Sequence, residues 1–257
     1  MILSWYLKLW QMGYLADQRG IRRRYFIERK HWEQHLANTR NFIVDACKTM
    51  THGKAAILGS GWLLDVPLDF LASCFKEVFL FDIHHPLAVK QQTRRYPNVR
   101  LVTADVSGGA MDQCYQAVRY FKKHRQKIPV EQFTIQGFRE ASSFDCIVSL
   151  NLLNQLDMLA VDYLASRHIY NEKELGFLHA CIQQQHLHSL PEGKTILISD
   201  VEEIWYDSSH HELGRKSLLY VPFLSGKIKK TWEWTFDTHY RYYPDKNVSF
   251  KVIAAIF

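Results

Sequence analysis

Short apolar runs separated by a helical pattern dominate residues 54–105. Three runs of mostly apolar residues predict strands at Lys54–Leu58, Glu77–Asp82 and 99–105. Between the first two runs, apolar residues recur with the spacing of one helix face, at Leu63, Val66, Phe70, Leu71 and Cys74. This alternation of strand and helix predicts an α/β protein with a parallel sheet.

A glycine turn follows the first predicted strand directly. Gly59 and Gly61 flank Ser60, and the sequence predicts that a helix begins just beyond them, with Pro67 in its first turn. Glycine lets a backbone approach a ligand closely, and the N–H groups of a helix start favour anions. The turn alone is equally consistent with a plain connection between strand and helix.

Aspartates end the second and third predicted strands. Asp82 lies about twenty residues after the glycines, where such folds place an acceptor for ribose hydroxyls, and Asp105 ends the third run. Because parallel strands end at one edge of a sheet, Gly59, Gly61, Asp82 and Asp105 are expected to lie together. The sequence therefore predicts a nucleoside site, although each aspartate alone would also suit a solvated strand end.

On these residues the chain resembles the class I S-adenosylmethionine-dependent methyltransferases of bacterial type, from about Lys54 to the carboxyl terminus. Residues 144–151 and 193–200 look like the fourth and fifth strands of that family, and 230–240 and 247–257 like its closing antiparallel pair. The resemblance implies a Rossmann-like, doubly wound, mostly parallel seven-stranded sheet with a terminal antiparallel pair. It also implies S-adenosyl-L-methionine as cofactor and methyl transfer to a small-molecule substrate.

The resemblance assigns the cofactor-binding residues one by one. They are Gly59, Ser60 and Gly61 in the turn, Asp82 and Ile83 for ribose, Asp105 and Val106 for adenine, and Asn151 after the fourth strand. The chain departs from the family where an acidic residue usually precedes the first glycine, since Ile57 and Leu58 stand there. Asp65 is near enough in sequence to replace that carboxylate, or it is an ordinary acid at a helix start.

Methyl transfer needs alignment of the reactants more than covalent work by the protein. The predicted catalytic residues follow the fourth and fifth strands: Asn151 and Asn154 to orient the acceptor, and Glu202, with Asp200 as its alternative, as a base or cation-binding acid. Both asparagines also suit helix capping. No metal site is predicted, because the paired histidines are not matched by converging carboxylates in the sequence.

Residues 1–50 are expected to form a helical extension or cap, followed by a cofactor-binding domain at 51–257. The first fifteen residues are rich in aromatic side chains and too short to span a bilayer, which favours a helix packed on the core or forming a homodimer. A helix lying on a membrane surface is an alternative. In the following helix, Tyr25, Trp32 and His35 are candidates to face the substrate.

Composition narrows the choice of partner and compartment. The 257 residues carry a formal net charge of +6, a modest excess that allows a nucleic-acid partner without favouring one. The five cysteines form no Cys-x-x-Cys pair, which predicts a reduced, cytoplasmic protein.

Three other functions fit the same pattern. An aminocarboxypropyl transferase resembling nicotianamine synthase would use the same cofactor differently. A NAD-dependent oxidoreductase would share Gly59, Gly61 and Asp82, but the missing third glycine and the antiparallel ending count against it. A catalytically degenerate protein that binds a nucleoside or a partner is the non-enzymatic alternative.

Overall fold

The computed structural model describes residues 2–223 and 227–257. Its helices are α1 (Ile2–Gln11), α2 (Tyr14–Cys47), α3 (Leu68–Cys74), α4 (Leu87–Thr93), α5 (Ala110–His124), α6 (Met158–Ala165) and α7 (Glu172–Ser189). Its strands are β1 (Lys54–Leu58), β2 (Glu77–Asp82), β3 (Val99–Thr103), β4 (Cys146–Leu150), β5 (Thr195–Tyr206), β6 (Glu212–Ser217), β7 (Ile228–Asp237) and β8 (Asn247–Ile256).

The strands form one sheet in the order β3-β2-β1-β4-β5-β8-β7. The first five strands are parallel, and β8 runs antiparallel to both β5 and β7. At the carboxyl end of β1, Leu58 lies opposite Phe81 of β2 and Ser149 of β4, so β1 and its two neighbours end together. The predicted Rossmann-like fold, with its parallel sheet and closing antiparallel pair, is confirmed.

Strand β6 was not predicted from the sequence. It pairs antiparallel with the second half of β5, outside the seven-strand path. Glu212–Ser217 is almost entirely polar and largely exposed, so it shows no apolar alternation that would mark a strand. Its pairing requires β5 to continue as far as Tyr206, well beyond the predicted end at Asp200.

Helices cover both faces of the sheet. One apolar layer includes buried residues of α1, α5, α6 and α7, and the other includes residues of α2 and α3. Leu9 of α1 and Met12, just after it, are buried in the first layer, whereas Trp10 is exposed. In α2, Trp32 is buried and donates a hydrogen bond from Nε1 to the Phe236 carbonyl of β7 at 3.0 Å. The amino-terminal helices therefore pack on the core.

Helix α3 begins later than the sequence pattern suggested. The glycine turn is followed by irregular chain, and the helix starts at Leu68, with Pro67 immediately before it. A residue before proline is disfavoured in helical geometry, and Leu63 also has a left-handed φ of 60°. The predicted helix start at the glycine turn was wrong, so no helix N-terminus faces a ligand there.

Within residues 2–223 and 227–257, no helix combines the length and apolar character needed to cross a membrane.

Candidate functional site

A cavity opens at the carboxyl edge of the parallel strands. The centre of a water molecule can reach about 190 Å³ of it. The loops after β1, β2, β3 and β4 form its floor, and side chains of α2 and β7 form the opposite wall. The lining side chains with charged or polar groups are Tyr14, Asp17, Gln18, Trp32, His35, Trp62, Asp65, Asp82, Asp105, Ser107, Asn151, Gln155 and Trp234.

The glycine turn closes one side of this cavity. The N–H groups of Gly59 and Ser60 both donate to the Phe81 carbonyl, at 3.0 and 3.1 Å, which fixes the turn on β2. Gly59 has a φ of 82°, and a Cβ there would lie 2.7 Å from the Leu150 carbonyl oxygen. Only glycine suits that position. A Cβ on Gly61 would meet no atom within 4 Å, so the backbone there is open to a ligand.

Asp82 lies at the centre of the cavity floor. Its Oδ2 accepts a hydrogen bond from the Gly61 N–H at 2.7 Å, and its Oδ1 accepts from Gln18 Nε2 at 3.0 Å and the His84 N–H at 3.3 Å. Burial raises the pKa of this carboxyl, although the hydrogen bonds from Gly61 and His84 oppose the rise. A carboxylate offers about four acceptor positions. Three are used, so an incoming hydroxyl must take the fourth or replace Gln18.

Asp105 follows β3 and faces the same cavity. Its Oδ1 accepts from the N–H and the Oγ of Ser107, at 2.9 and 2.5 Å, which holds the loop in a tight turn. Burial raises the pKa of Asp105. Ala104 and Val106 line the cavity beside it and offer an apolar surface of the kind a planar base packs against.

The start of α2 supplies residues that sequence reasoning missed. Tyr14, Gln18 and Ile21 line the cavity, and Gln18 Nε2 also donates to the His84 carbonyl at 2.9 Å. The Trp62 indole donates to the Gln18 carbonyl at 2.8 Å and ties the helix to the glycine loop. Tyr14, Gln18, Ile21 and Trp32 recur with the spacing of one helix face. This periodicity is the sequence signal that could have identified them as lining residues.

The inner wall is aromatic and includes two of the predicted substrate-facing residues. Trp32 and His35 line the cavity, whereas Tyr25 is not among the lining residues. The His35 ring stacks on Trp234 with centroids 3.9 Å apart, and its Nδ1 accepts from Trp232 Nε1 at 3.0 Å. Because an indole only donates, Nδ1 is unprotonated and Nε2 carries the proton. Burial lowers the pKa of His35 to about 3, so the ring is neutral.

Two acids and an amide meet where β4 ends, beside the middle of β5. Asn151 Nδ2 donates to Asp65 Oδ2 at 3.1 Å, and Asn151 is held in a left-handed conformation with φ 51°. The buried atoms Asn151 Oδ1, Asp200 Oδ1 and Trp234 Nε1 have no hydrogen-bond partner in the described chain. Burial raises the pKa of Asp65 to about 6 and that of Asp200 to about 7, and the charge of Asp65 adds to the second shift.

Several solved structures resemble this chain at low sequence identity. The N-methyltransferase NodS from Bradyrhizobium japonicum WM9 with S-adenosyl-L-homocysteine is 12% identical, with 85% of this chain and 86% of NodS covered and a TM-score of 0.38. The DhpI-SAH complex is 8% identical, with coverage of 96% and 95% and a TM-score of 0.41. The 1,6-didemethyltoxoflavin-N1-methyltransferase of Burkholderia thailandensis is 12% identical, with coverage of 95% and 89% and a TM-score of 0.40.

No protein-family model matches the chain, and no curated protein matches it.

Four predicted site residues do not line the cavity: Ser60, Asn154, Glu202 and Asp200, the alternative to Glu202. Asp200 is buried, at 2% exposure. Ser60 is buried within the turn. Asn154 accepts a hydrogen bond from Ser199 Oγ at 3.4 Å. Glu202 lies inside the extended β5 and is ion-paired with Arg215 and Lys251, at 3.2 and 2.9 Å.

The placement of Glu202 follows from the length of β5. The sequence predicts Glu202 beyond the end of the fifth strand, but the strand continues to Tyr206. Glu202 is thus opposite Lys251 of β8 rather than at the cavity. Of the two acids considered for this role, Asp200 is the one beside Asp65, whose charge acts on it.

Proposed function

We propose that the protein binds S-adenosyl-L-methionine in this cavity and transfers its methyl group to a small-molecule acceptor. The observation that carries the proposal is the convergence of Asp82, Asp105 and the open backbone of Gly61 on one cavity at the carboxyl edge of a doubly wound sheet. Fold alone would not identify the reaction, so the assignment depends on these groups.

The positions of the side chains suggest how the nucleoside is held. In the proposal, Asp82 accepts hydrogen bonds from the ribose hydroxyls, and Ile83 packs beside it. Asp105 accepts from the exocyclic amine of the adenine, whose faces lie against Val106. The backbone of the glycine turn and Asn151 bound the remaining length of the cavity, where the methionine part fits.

The bound cofactor supplies an activated methyl group on a sulfonium, so the protein has to align the acceptor and keep out water. The wall formed by α2 serves both needs, because Gln18 and Ile21 cover the cavity from the side opposite the strands. We include residues 1–50 in the proposal as a cap on a cofactor-binding domain at 51–257. Asn151 orients the acceptor, and Asp200 with Asp65 replaces Glu202 as the acidic group.

Product analysis tests this function. Purified protein is incubated with S-adenosyl-L-methionine and a small-molecule extract, and nucleoside products are separated by chromatography. Methyl transfer predicts S-adenosylhomocysteine, whereas aminocarboxypropyl transfer would give methylthioadenosine. At a cofactor concentration below Kd, Asp82→Asn should lower product formation by roughly tenfold or more. Asp45→Asn, at an exposed residue paired with Lys48, should not. If the protein binds S-adenosylhomocysteine but forms neither product, the proposed activity is wrong and a non-catalytic binder is favoured.

A further inference from the structure

The charge of the cavity restricts the acceptor. Its ionisable lining side chains include four carboxyl groups, those of Asp17, Asp65, Asp82 and Asp105, while neither lysine nor arginine appears among the lining residues of the described chain. The one lining histidine, His35, is neutral because its Nδ1 accepts the Trp232 hydrogen bond. An anionic acceptor would therefore be buried without a cationic partner, which is costly.

Two of these carboxyl groups already have a use in the proposed nucleoside site. Asp82 ends β2 and Asp105 follows β3, whereas Asp65 is hydrogen-bonded to Asn151, which directly follows β4. Asp200 is 2% exposed, and the charge of Asp65 acts on it. Arg40 is close enough to lower the pKa of Asp65, but its side chain is exposed and bonds to the Leu64 carbonyl rather than lining the cavity.

The buried polar atoms around Asp65 are incompletely satisfied. Asp200 Oδ1, Asn151 Oδ1 and Trp234 Nε1 are buried without a hydrogen-bond partner. Buried polar groups are nearly always paired, so unpaired atoms of this kind call for a missing partner. Asn151 and Trp234 line the cavity, and Asn151 Oδ1 is an acceptor that a ligand with an N–H donor would satisfy.

One wall of the same cavity is aromatic. Trp32 and Trp234 both line the cavity, and their rings meet edge to face with centroids 4.8 Å apart. Trp234 is 6% exposed, so it lies almost entirely within the protein. His35 stacks on one face of Trp234 and Phe236 on one face of Trp32. Aromatic rings attract cations as well as apolar groups, most strongly where water is excluded.

We propose, resting on the proposed function, that the methyl acceptor is a small amine, positively charged in solution, that binds between Asp65 and the aromatic wall of Trp32 and Trp234. Asp65 accepts the ammonium proton and leaves a neutral amine. The amine nitrogen then forms a bond to the methyl carbon as the carbon–sulfur bond breaks, and sulfur keeps that electron pair. The products are a methylated ammonium, S-adenosylhomocysteine and a protonated Asp65 that returns its proton to solvent.

Asp200 acts through Asp65 in this account and is a positioning residue. It lies close enough for the charge of Asp65 to act on it, but it is not among the residues that line the cavity. Asn151 fixes Asp65 through its 3.1 Å hydrogen bond.

Calorimetric titration with three matched probes tests the proposal. The probes 2-phenylethylammonium, 2-phenylethanol and 3-phenylpropanoate share a phenylethyl group and differ in charge. Each is titrated into full-length protein saturated with S-adenosylhomocysteine. We expect the ammonium to bind at least tenfold more tightly than the carboxylate, about 1.4 kcal/mol in binding free energy. Asp65→Asn should remove most of that preference, and Asp45→Asn should retain it.

The same titrations distinguish failure of this inference from failure of the proposed function. Wild-type protein that does not bind S-adenosylhomocysteine refutes the proposed function. Protein that binds it but shows no preference for the ammonium probe, or prefers the carboxylate, overturns the amine assignment alone. Asp65→Asn could instead weaken the binding of S-adenosylhomocysteine and leave the binding of the ammonium probe unchanged. Asp65 would then hold the cofactor, and the amine assignment would also be overturned.

Discussion

Replacing Asp82 with asparagine removes the carboxylate on which the proposed ribose contact depends. Asparagine has nearly the same shape and retains one oxygen, which can still accept from the Gly61 N–H now found at 2.7 Å. Its NH₂ group, however, would face Gln18 or the ribose as a donor instead of an acceptor. The substitution therefore preserves the turn while removing acceptance of a ribose hydroxyl by the charged oxygen.

Hydrogen bonds to charged groups are worth about 1.5–3 kcal/mol each. Loss of one such bond corresponds to roughly a 10- to 150-fold increase in the Kd for S-adenosylhomocysteine. Isothermal titration calorimetry measures this Kd directly. Because burial raises the pKa of Asp82, its charge is costly to the native protein, and Asp82→Asn is not expected to lower the free energy of unfolding greatly.

Two controls keep the result specific. Urea unfolding of Asp82→Asn checks that the variant is folded, and Asp45→Asn checks the effect of removing a carboxylate from an exposed position. A Kd for Asp82→Asn within threefold of the wild-type value, in a folded protein, would show that Asp82 does not hold the ribose. The reasoning from the carboxyl edge would then be wrong at its central residue.

Three further predictions concern the cap, the buried acids and the core. Gln18→Ala should bind S-adenosylhomocysteine about tenfold more tightly, because a bond of about 1.5 kcal/mol to the Asp82 carboxylate need not be broken. Weaker binding would instead make Gln18 part of the ligand site. The pKa of Asp200 is raised to about 7 from 3.8, so the native protein binds a proton more strongly than the unfolded chain and loses stability as pH rises through that window. Urea titrations give the free energy of unfolding of Asp200→Asn minus that of wild type at each pH. This difference should increase by roughly 2 kcal/mol between pH 5 and pH 8, and a difference independent of pH would contradict the prediction. In urea unfolding, Trp32→Ala should lower the free energy of unfolding by about 3–5 kcal/mol. Trp10 is 66% exposed, so Trp10→Ala should change it by about 0.5 kcal/mol or less. Equal losses for the two variants would contradict the packing of Trp32 in the core.

Much of the sheet was predictable because buried parallel strands are nearly continuous apolar runs. β1 was predicted with its observed bounds, and β2 with its terminal Asp82. The joint placement of Asp82 and Asp105 followed from strand ends alone, since parallel strands bring their carboxyl ends to one edge.

The parts that were missed depend on contacts between distant segments. Strand β6 has a polar sequence and exists through its pairing with β5, which no local pattern reveals. The bond between Gln18 and Asp82 joins residues 64 positions apart, so it required the packing of α2 over the sheet. Pro67 was assigned to the first turn of α3 but lies just before it.

The most direct test of the account is a calorimetric titration of wild-type protein with S-adenosylhomocysteine and, separately, with NAD. We expect S-adenosylhomocysteine to bind at one site per chain and NAD not to bind. Binding of NAD without S-adenosylhomocysteine would contradict the proposed cofactor and favour an oxidoreductase. Binding of neither nucleoside would contradict the assignment of the cavity.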